Sequence, residues 1–344
     1  MSRPERLHVP GGRYFVVDRF RASEVLAPAL DRRHSEAEVR TLAANRVQYE
    51  AQLAYAITRW AARVNTHCWL PDCALLEIEI GWAPLEHVMH SLRGPFSRYL
   101  RESTGFPEPA YTGRYATWLV EPRCTLDLCR EIFWRPVQAG LCKHPTEYPH
   151  TTLHYALHGS IPQFLARSRL LAWFQQRQHH PRTQLLRFFS TAPTAEFTAL
   201  LSGSPHDRRI IGHMNFVRRM HRKGTHGTAA VQPQSVIQWA RLLVTQRDAT
   251  VPEAFLPSTT ALVSALTAWI ASCSGIASVS TVATWFHPYD RSRLERAIDH
   301  YLQIRPDLFS NHTLGEFVHH VTDLTRKGPE IRPLELNAKS TWRR

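Results

Sequence analysis

Between Leu70 and Gly81 the chain reads LPDCALLEIEIG, and from Ala74 to Ile80 every second residue is apolar. Ala74, Leu76, Ile78 and Ile80 make one row, while Cys73, Leu75, Glu77 and Glu79 make the other. Successive side chains of a strand point to opposite faces, so this alternation predicts a strand with its first row buried in a core. A Leu-Pro-Asp entry and Gly81 bound it. The second row sets a thiol and a leucine ahead of two acids, and it faces something other than that core.

Two further stretches, GGRYFVVDRF (11–20) and GRYATWLVEP (113–122), read as strands. Between them, residues 36–64 carry apolar side chains at three- and four-residue spacing, which predicts a helix. A second helix covers 84–103, with an interruption expected near Gly94-Pro95. A third, TLDLCREIFW (125–134), is expected to stop at Arg135-Pro136. Strands alternating with helices in this way predict a small α+β sheet domain over about residues 10–145. Beyond Tyr148 the pattern is helical only, and loops rich in Gly, Ser, Thr and Pro separate the amphipathic segments. The best linker is Lys223–Ser235, and the segment after Lys327 is polar.

At 344 residues and 43% hydrophobic content the chain can bury a sizeable core in roughly two or three domains. Lysine and arginine outnumber acids 42 to 29, a net charge of +13 that favours polyanionic partners, chiefly nucleic acid. The longest apolar run, Ala261–Cys273, falls short of the roughly 18 residues a membrane span needs. MSRPERLHVPGG at the N-terminus lacks the apolar core of a secretory signal, so a cytoplasmic location is expected, with no membrane partner. Cys68, Cys73, Cys124, Cys129, Cys142 and Cys273 form no disulfide framework in a chain this long. The Cys-x4-Cys pairs at 68/73 and 124/129 lack the usual zinc spacing and read as reduced structural thiols.

Five segments in order carry a resemblance: GGRYFVVDRF, HCWLPDCALLEIE, YTGRYATWLVEP, LDLCREIFWRPVQAGLC and PTEYPHTTLHYAL. The chain over about residues 3–158, and loosely to 223, resembles the REP-associated tyrosine transposases, single-tyrosine HUH enzymes acting on hairpin-forming single-stranded DNA. The anchors are Leu70-Pro71-Asp72, Gly113-Arg114-Tyr115 and RPVQAGL at 135–141. The resemblance implies a ferredoxin-like domain, an antiparallel sheet with helices on one face, ahead of an all-helical C-terminal region. In that family two histidines at i and i+2 of the strand bind a divalent metal, a helix supplies the nucleophilic tyrosine, and a polar residue four positions on completes the metal shell.

Carried over position by position, the histidines fall on Cys73 and Leu75, the tyrosine on Glu131 and the third ligand on Arg135. All four differ, so the expected set of intact catalytic residues, metal ligands and cofactors is empty. A leucine offers no ligand and a glutamate cannot form the tyrosine–DNA link. Glu131 and Arg135, at i and i+4, are expected to form a helical ion pair. A metal site on Cys73, Glu77 and Glu79 is conceivable on one strand face but lacks histidine. Tyr99, Tyr111 and Tyr115 read as core or base-stacking aromatics.

The stretch 264–303 has the shape of a helix-turn-helix: a scaffold helix to Gly275, a first helix over Ser278–Phe286, an HPYD turn and a recognition helix over Ser292–Gln303, with Asp290 or Ser292 near its N-cap. It resembles the DNA-binding tail of the replication initiator family, which places contacts at Arg291, Ser292 and Arg293. The resemblance to the transposases puts base or phosphate contacts at Arg3, Arg6, Arg13, Arg19, Arg21 and Arg114. Arg208, Arg209, Arg218, Arg219, Arg222 and Lys223 form a second basic cluster. The expected layout is a transposase-like domain over 1–150, a helical extension over 151–225, a helix-turn-helix domain over 235–327 and a tail over 328–344. The expected function is binding of hairpin or single-stranded DNA by the first domain, and of duplex by the last, without cleavage. A strand transferase using displaced residues, and an RNA-binding or protein-interaction scaffold, are the alternatives.

Overall fold

Strand β1 (Arg13–Arg19) has five fully buried residues in a row, because both faces of the sheet it joins are covered. The computed structural model describes residues 7–21, 36–105, 110–159, 161–175, 181–222, 231–248, 259–286 and 289–327. Helix α1 (Glu36–Arg59) ends earlier than its apolar spacing suggests. Ala61 adopts a left-handed φ of 49°, the Ala62 amide bonds back to the Ile57 carbonyl at 2.8 Å, and the chain emerges as β2 (Arg63–Trp69), a strand the sequence reading did not separate from the helix. Strand β3 (Cys73–Glu79) follows as expected.

Helix α2 (Leu85–Thr104) is continuous, so the interruption expected at Gly94-Pro95 does not occur. Val88, Met89, Leu92, Phe96 and Leu100 are all buried on one stripe that stays in phase across Pro95. Each such burial stabilises by about 1.5–3 kcal/mol, which together exceeds the roughly 3 kcal/mol cost of a proline inside a helix. After β4 (Ala116–Val120) and a 3₁₀ turn (Pro122–Cys124), α3 (Thr125–Gln138) likewise runs through Pro136 instead of stopping at Arg135. Its buried stripe is Leu128, Cys129, Ile132, Phe133 and Pro136. The chain continues through α4 (Thr152–His158), α5 (Arg169–Gln175), α6 (Pro181–Ser190), α7 (Ala195–Leu200), β5 (Ile210–Ile211) and α8 (Met214–Arg222).

The sheet order is β2-β3-β1-β4-β5. The β1 strand is antiparallel to both neighbours, and the short β5 adds a parallel pair with β4 in a region that reads as purely helical. Register sets Arg19 opposite Cys73, Val17 opposite Leu75 and Arg13 opposite Glu79. One face, with Val16, Leu76 and Ile78, packs on α1 and α2 through Tyr49, Leu53, Met89 and Phe96. On the other, Phe15, Val17, Cys73 and Leu75 pack with Leu128, Ile132 and Phe133 of α3 and with Phe189 of α6. The α+β class and the helical C-terminal region are as expected, but helices cover both faces rather than one, because α3 needs a partner for its own apolar stripe. The second row of β3 therefore faces protein.

Contacts divide the chain into two units, Met1–Gly227 with Ile298–Pro306, and Thr228–Ala297 with Asp307–Arg344. Residues 151–222 pack within the first unit, and the boundary lies in the Lys223–Ser235 segment, of which 223–230 fall outside the described residues, as does the 328–344 tail. The second unit contains α9 (Pro233–Asp248), α10 (Thr259–Cys273), α11 (Val279–Ala283), the first half of α12 (Arg291–Ile304) up to Ala297, and α13 (Asn311–Lys327). Helix α10 is its centre: Leu262–Ala271 are buried throughout, with Trp269 5.3 Å from Phe309, while Trp239 of α9 lies 5.3 Å from Phe317. Among the described residues no helix is long and apolar enough to cross a membrane.

Candidate nucleic-acid interface

The antiparallel register brings the end of β1 beside the start of β3, and the continuation of α3 past Pro136 closes the space above them. The result is a cleft of about 300 Å³. Its floor is Phe15, Val17, Leu70, Cys73 and Leu75, and its rim carries Arg19, Asp72, Arg135 and Gln138. Three of the four positions carried over from the transposases, Cys73, Leu75 and Arg135, thus meet in one place.

The chemistry of this cleft is not that of a metal centre. Burial pushes the Cys73 thiol well above its ordinary range and the Asp72 charge adds to that, against the opposing pull of Arg19 and Arg135. Leu75 has no donor atom, and Arg135 adds a positive charge that repels a metal ion. The residues do not fit a divalent ion. They fit a flat apolar or aromatic group on the floor and an anion at the rim. Arg19 and Asp72 approach only to 3.9 Å, with both side chains mostly exposed. The Arg135 guanidinium has no hydrogen bond or ion pair among the described residues.

Glu131 behaves differently from the expectation. It is 1% exposed, and Thr198 Oγ1 of α7 donates to its Oε1. The expected Glu131–Arg135 ion pair is absent because α7 packs over Glu131 and supplies its partner, while Arg135 projects into the cleft one turn later. Nor do Cys73, Glu77 and Glu79 form a metal site. Glu77 is fully buried, with Thr66 Oγ1 3.3 Å from its Oε2, and desolvation lifts its carboxyl to about 7 despite the nearby Arg13 charge. Glu79 instead receives two hydrogen bonds of 2.8 Å from Arg169 and lies within 3.7 Å of both Arg13 and Arg63.

The arginines expected to contact DNA therefore separate into groups. Arg13 is turned inward, bonding Thr125 Oγ1 at 2.7 Å as well as approaching Glu79. Arg19, Arg21 and Arg114 are exposed, whereas Arg3 and Arg6 lie outside the described residues. Tyr111 and Tyr115 are buried in the core, and Arg93 lies 4.0 Å and 5.7 Å over their rings, fastening the segment that carries Arg114. Tyr99 packs half-buried on the same core. In the second basic cluster Arg209 is bound by Asp207, whereas Arg208, Arg218 and Arg219 are exposed. The Arg222 side chain and Lys223 lie outside the described residues.

In the second unit, α10, α11 and α12 follow one another in the expected order, with Ser278 capping α11 through the Thr281 amide at 3.1 Å. Asp290 rather than Ser292 caps α12, accepting from the Arg293 amide at 2.6 Å. Arg291, Ser292 and Arg293 are exposed in its first turn. Arg291 is bonded to Glu295 at 2.8 Å and Arg293 stacks 4.6 Å over Tyr289. His287 and Pro288 of the turn lie outside the described residues.

Sequence reasoning missed Arg93, the Arg63 and Arg169 partners of Glu79, and the Thr198 partner of Glu131. Each belongs to an element far along the chain from the residue it serves, and no local spacing signals such a meeting.

No family model and no curated protein matches this chain. Among solved structures it is similar to a REP-associated tyrosine transposase described as bound to a REP hairpin, at 15% identity and a TM-score of 0.36. The match covers 48% of this chain and 90% of that one.

Proposed function

We propose that this protein binds hairpin or single-stranded DNA through its first unit, and duplex DNA through the first turn of α12, without cutting either. The observation that carries the reading is the cleft itself: an apolar floor able to take a base, rimmed by Arg19 and by Arg135, whose guanidinium has no partner among the described residues and is able to take a phosphate. The net charge of +13 and the exposed Arg21, Arg114, Arg208 and Arg218 supply further phosphate contacts. A nucleotide strand gains from both parts of such a site, by stacking and by counterion release.

Cleavage is left out of this reading because catalysis of phosphoryl transfer needs charge stabilisation at the scissile phosphate and a nucleophile. Leu75 offers a metal no donor atom, and the Glu131 side chain is held inside by Thr198. Fluorescence anisotropy with a labelled DNA hairpin, its RNA counterpart and an unrelated duplex tests the proposal, alongside a nicking assay with magnesium or manganese. Saturable hairpin binding with no nicked product and no covalent adduct is expected. Equal affinity for the RNA version would favour an RNA-binding role, and a metal-dependent adduct would overturn the non-cleaving reading.

A further inference from the structure

Glu121, Cys124 and His213 bring a carboxylate oxygen, a thiol sulfur and an imidazole nitrogen within 4.8 Å of one another. Among the described residues no other trio of such side chains converges so closely. They arrive from separate places: Glu121 follows β4, Cys124 closes the 3₁₀ turn ahead of α3, and His213 precedes α8. Glu121 and Cys124 are buried, whereas the His213 side chain is 71% exposed, so the group is anchored inside and open to water.

Glu121 Oε2 accepts from the His213 backbone amide at 2.9 Å and lies 2.9 Å from the ring Nδ1. Cys124, 3% exposed, holds its sulfur within 4.8 Å of the same Glu121 and His213 atoms, and among the described residues that sulfur has no hydrogen bond. Gly212 makes the approach possible, since a Cβ there would come within 2.9 Å of the Glu121 Cβ.

We infer that Glu121, Cys124 and His213 form a binding site for a divalent zinc-type ion, with water completing the shell on the exposed side. Mixed sulfur, nitrogen and oxygen donors suit zinc, which accepts a thiolate, an imidazole and a carboxylate in a tetrahedral shell. Such a shell sets neighbouring donors roughly 3.3–3.8 Å apart, a small adjustment from the arrangement found here. The ion would replace the proton shared by Glu121 and His213 and convert Cys124 to its thiolate, so loading releases protons. Once bound, it would tie the start of α8, with its outward Arg218 and Arg219, to the end of β4. This site stands at the beginning of α3, whereas the cleft uses its last turns, and it does not depend on the DNA-binding reading.

Titration of the reduced full-length protein with cobalt(II) tests the inference. The expected result is a thiolate-to-cobalt charge-transfer band with visible bands of tetrahedral cobalt, all abolished by zinc. Cys124→Ser should lose the charge-transfer band, and Cys142→Ser, which changes the partly exposed cysteine elsewhere, should keep it. His213→Ala alters an exposed side chain, so its circular dichroism should be unchanged while cobalt affinity falls about tenfold or more. Absence of the thiolate band in the wild type, its survival in Cys124→Ser, or unchanged affinity in a folded His213→Ala would each overturn the assignment.

Discussion

Arg93 Nε stands 3.1 Å from Asp18 Oδ1, and the Asp18 side chain is wholly removed from solvent. Tyr49 donates to the other carboxylate oxygen at 3.3 Å. Burial nevertheless lifts the Asp18 carboxyl to about 7, outweighing Arg93 and Tyr49. Arg93→Ala should therefore destabilise the first unit by about 3–5 kcal/mol at pH 8, where a buried charge is left unpaired. At pH 5 the carboxyl is protonated and the loss should be clearly smaller. Urea unfolding at both pH values measures this, and an equal loss at the two would rule the pairing out as the cause.

Glu77 gives a second pH signature. Its folded carboxyl titrates near 7, against an ordinary value of 4.5, so the folded state holds a proton that the unfolded state has released. Stability from this group is present below about pH 4.5 and is lost as pH rises towards 7. His67 and His150, which burial lowers to about 3 and about 4, act in the opposite direction over part of that window. The informative quantity is thus the difference between wild type and Glu77→Gln. The variant should gain stability relative to wild type as pH rises from 5 to 8, and a constant difference would count against the buried proton.

Thr198 donates to a buried Glu131, so Thr198→Val should cost about 1–3 kcal/mol by leaving that carboxylate without its donor. Glu131→Tyr places a larger ring under α7 and should cost about 1–3 kcal/mol through overpacking. Neither the wild type nor Glu131→Tyr should form an adduct with DNA, whether or not magnesium or manganese is added. Only the combined change Cys73→His, Leu75→His, Glu131→Tyr and Arg135→Asn would supply the set that the sequence resemblance to the transposases implies. Adduct formation by Glu131→Tyr alone, seen as a shifted band on a denaturing gel, would contradict the account of the cleft.

Arg19→Ala and Arg135→Ala should each weaken hairpin binding and flatten its salt dependence. Loss of one phosphate contact on a single strand lowers the slope of log affinity against log salt by about 0.7. Arg13→Ala should change stability more than binding, because Arg13 is committed to Thr125 and Glu79. A larger binding loss from Arg13→Ala than from Arg135→Ala would move the interface away from the cleft.

In the second unit, Asp290→Ala removes the side-chain cap of α12 and should cost about 1 kcal/mol. Arg291→Ala with Arg293→Ala should weaken duplex binding while leaving hairpin binding nearly unchanged. Parallel losses on both ligands would show that the two units do not bind separately.

The sequence by itself determined the rows of β3, the buried stripes of α2 and α3, and the all-helical character of α9 to α13, because periodicity reports directly which side of an element meets a core. It also determined that Leu75 cannot bind a metal, since that is a property of the side chain alone. Only the tertiary structure decided where elements stop and what their polar residues meet. Pro95 and Pro136 signal breaks locally, yet α2 continues because its apolar stripe is buried on either side of Pro95, and α3 because Pro136 is itself a buried member of its stripe. Ala61 carries no stop signal, yet its left-handed φ ends α1. Glu131 pairs with Thr198 rather than with Arg135, and Cys124 meets His213, because packing brings together residues that lie 67 and 89 positions apart. Local spacing fixes which face a side chain occupies; the partner it finds there depends on the three-dimensional path of the rest of the chain.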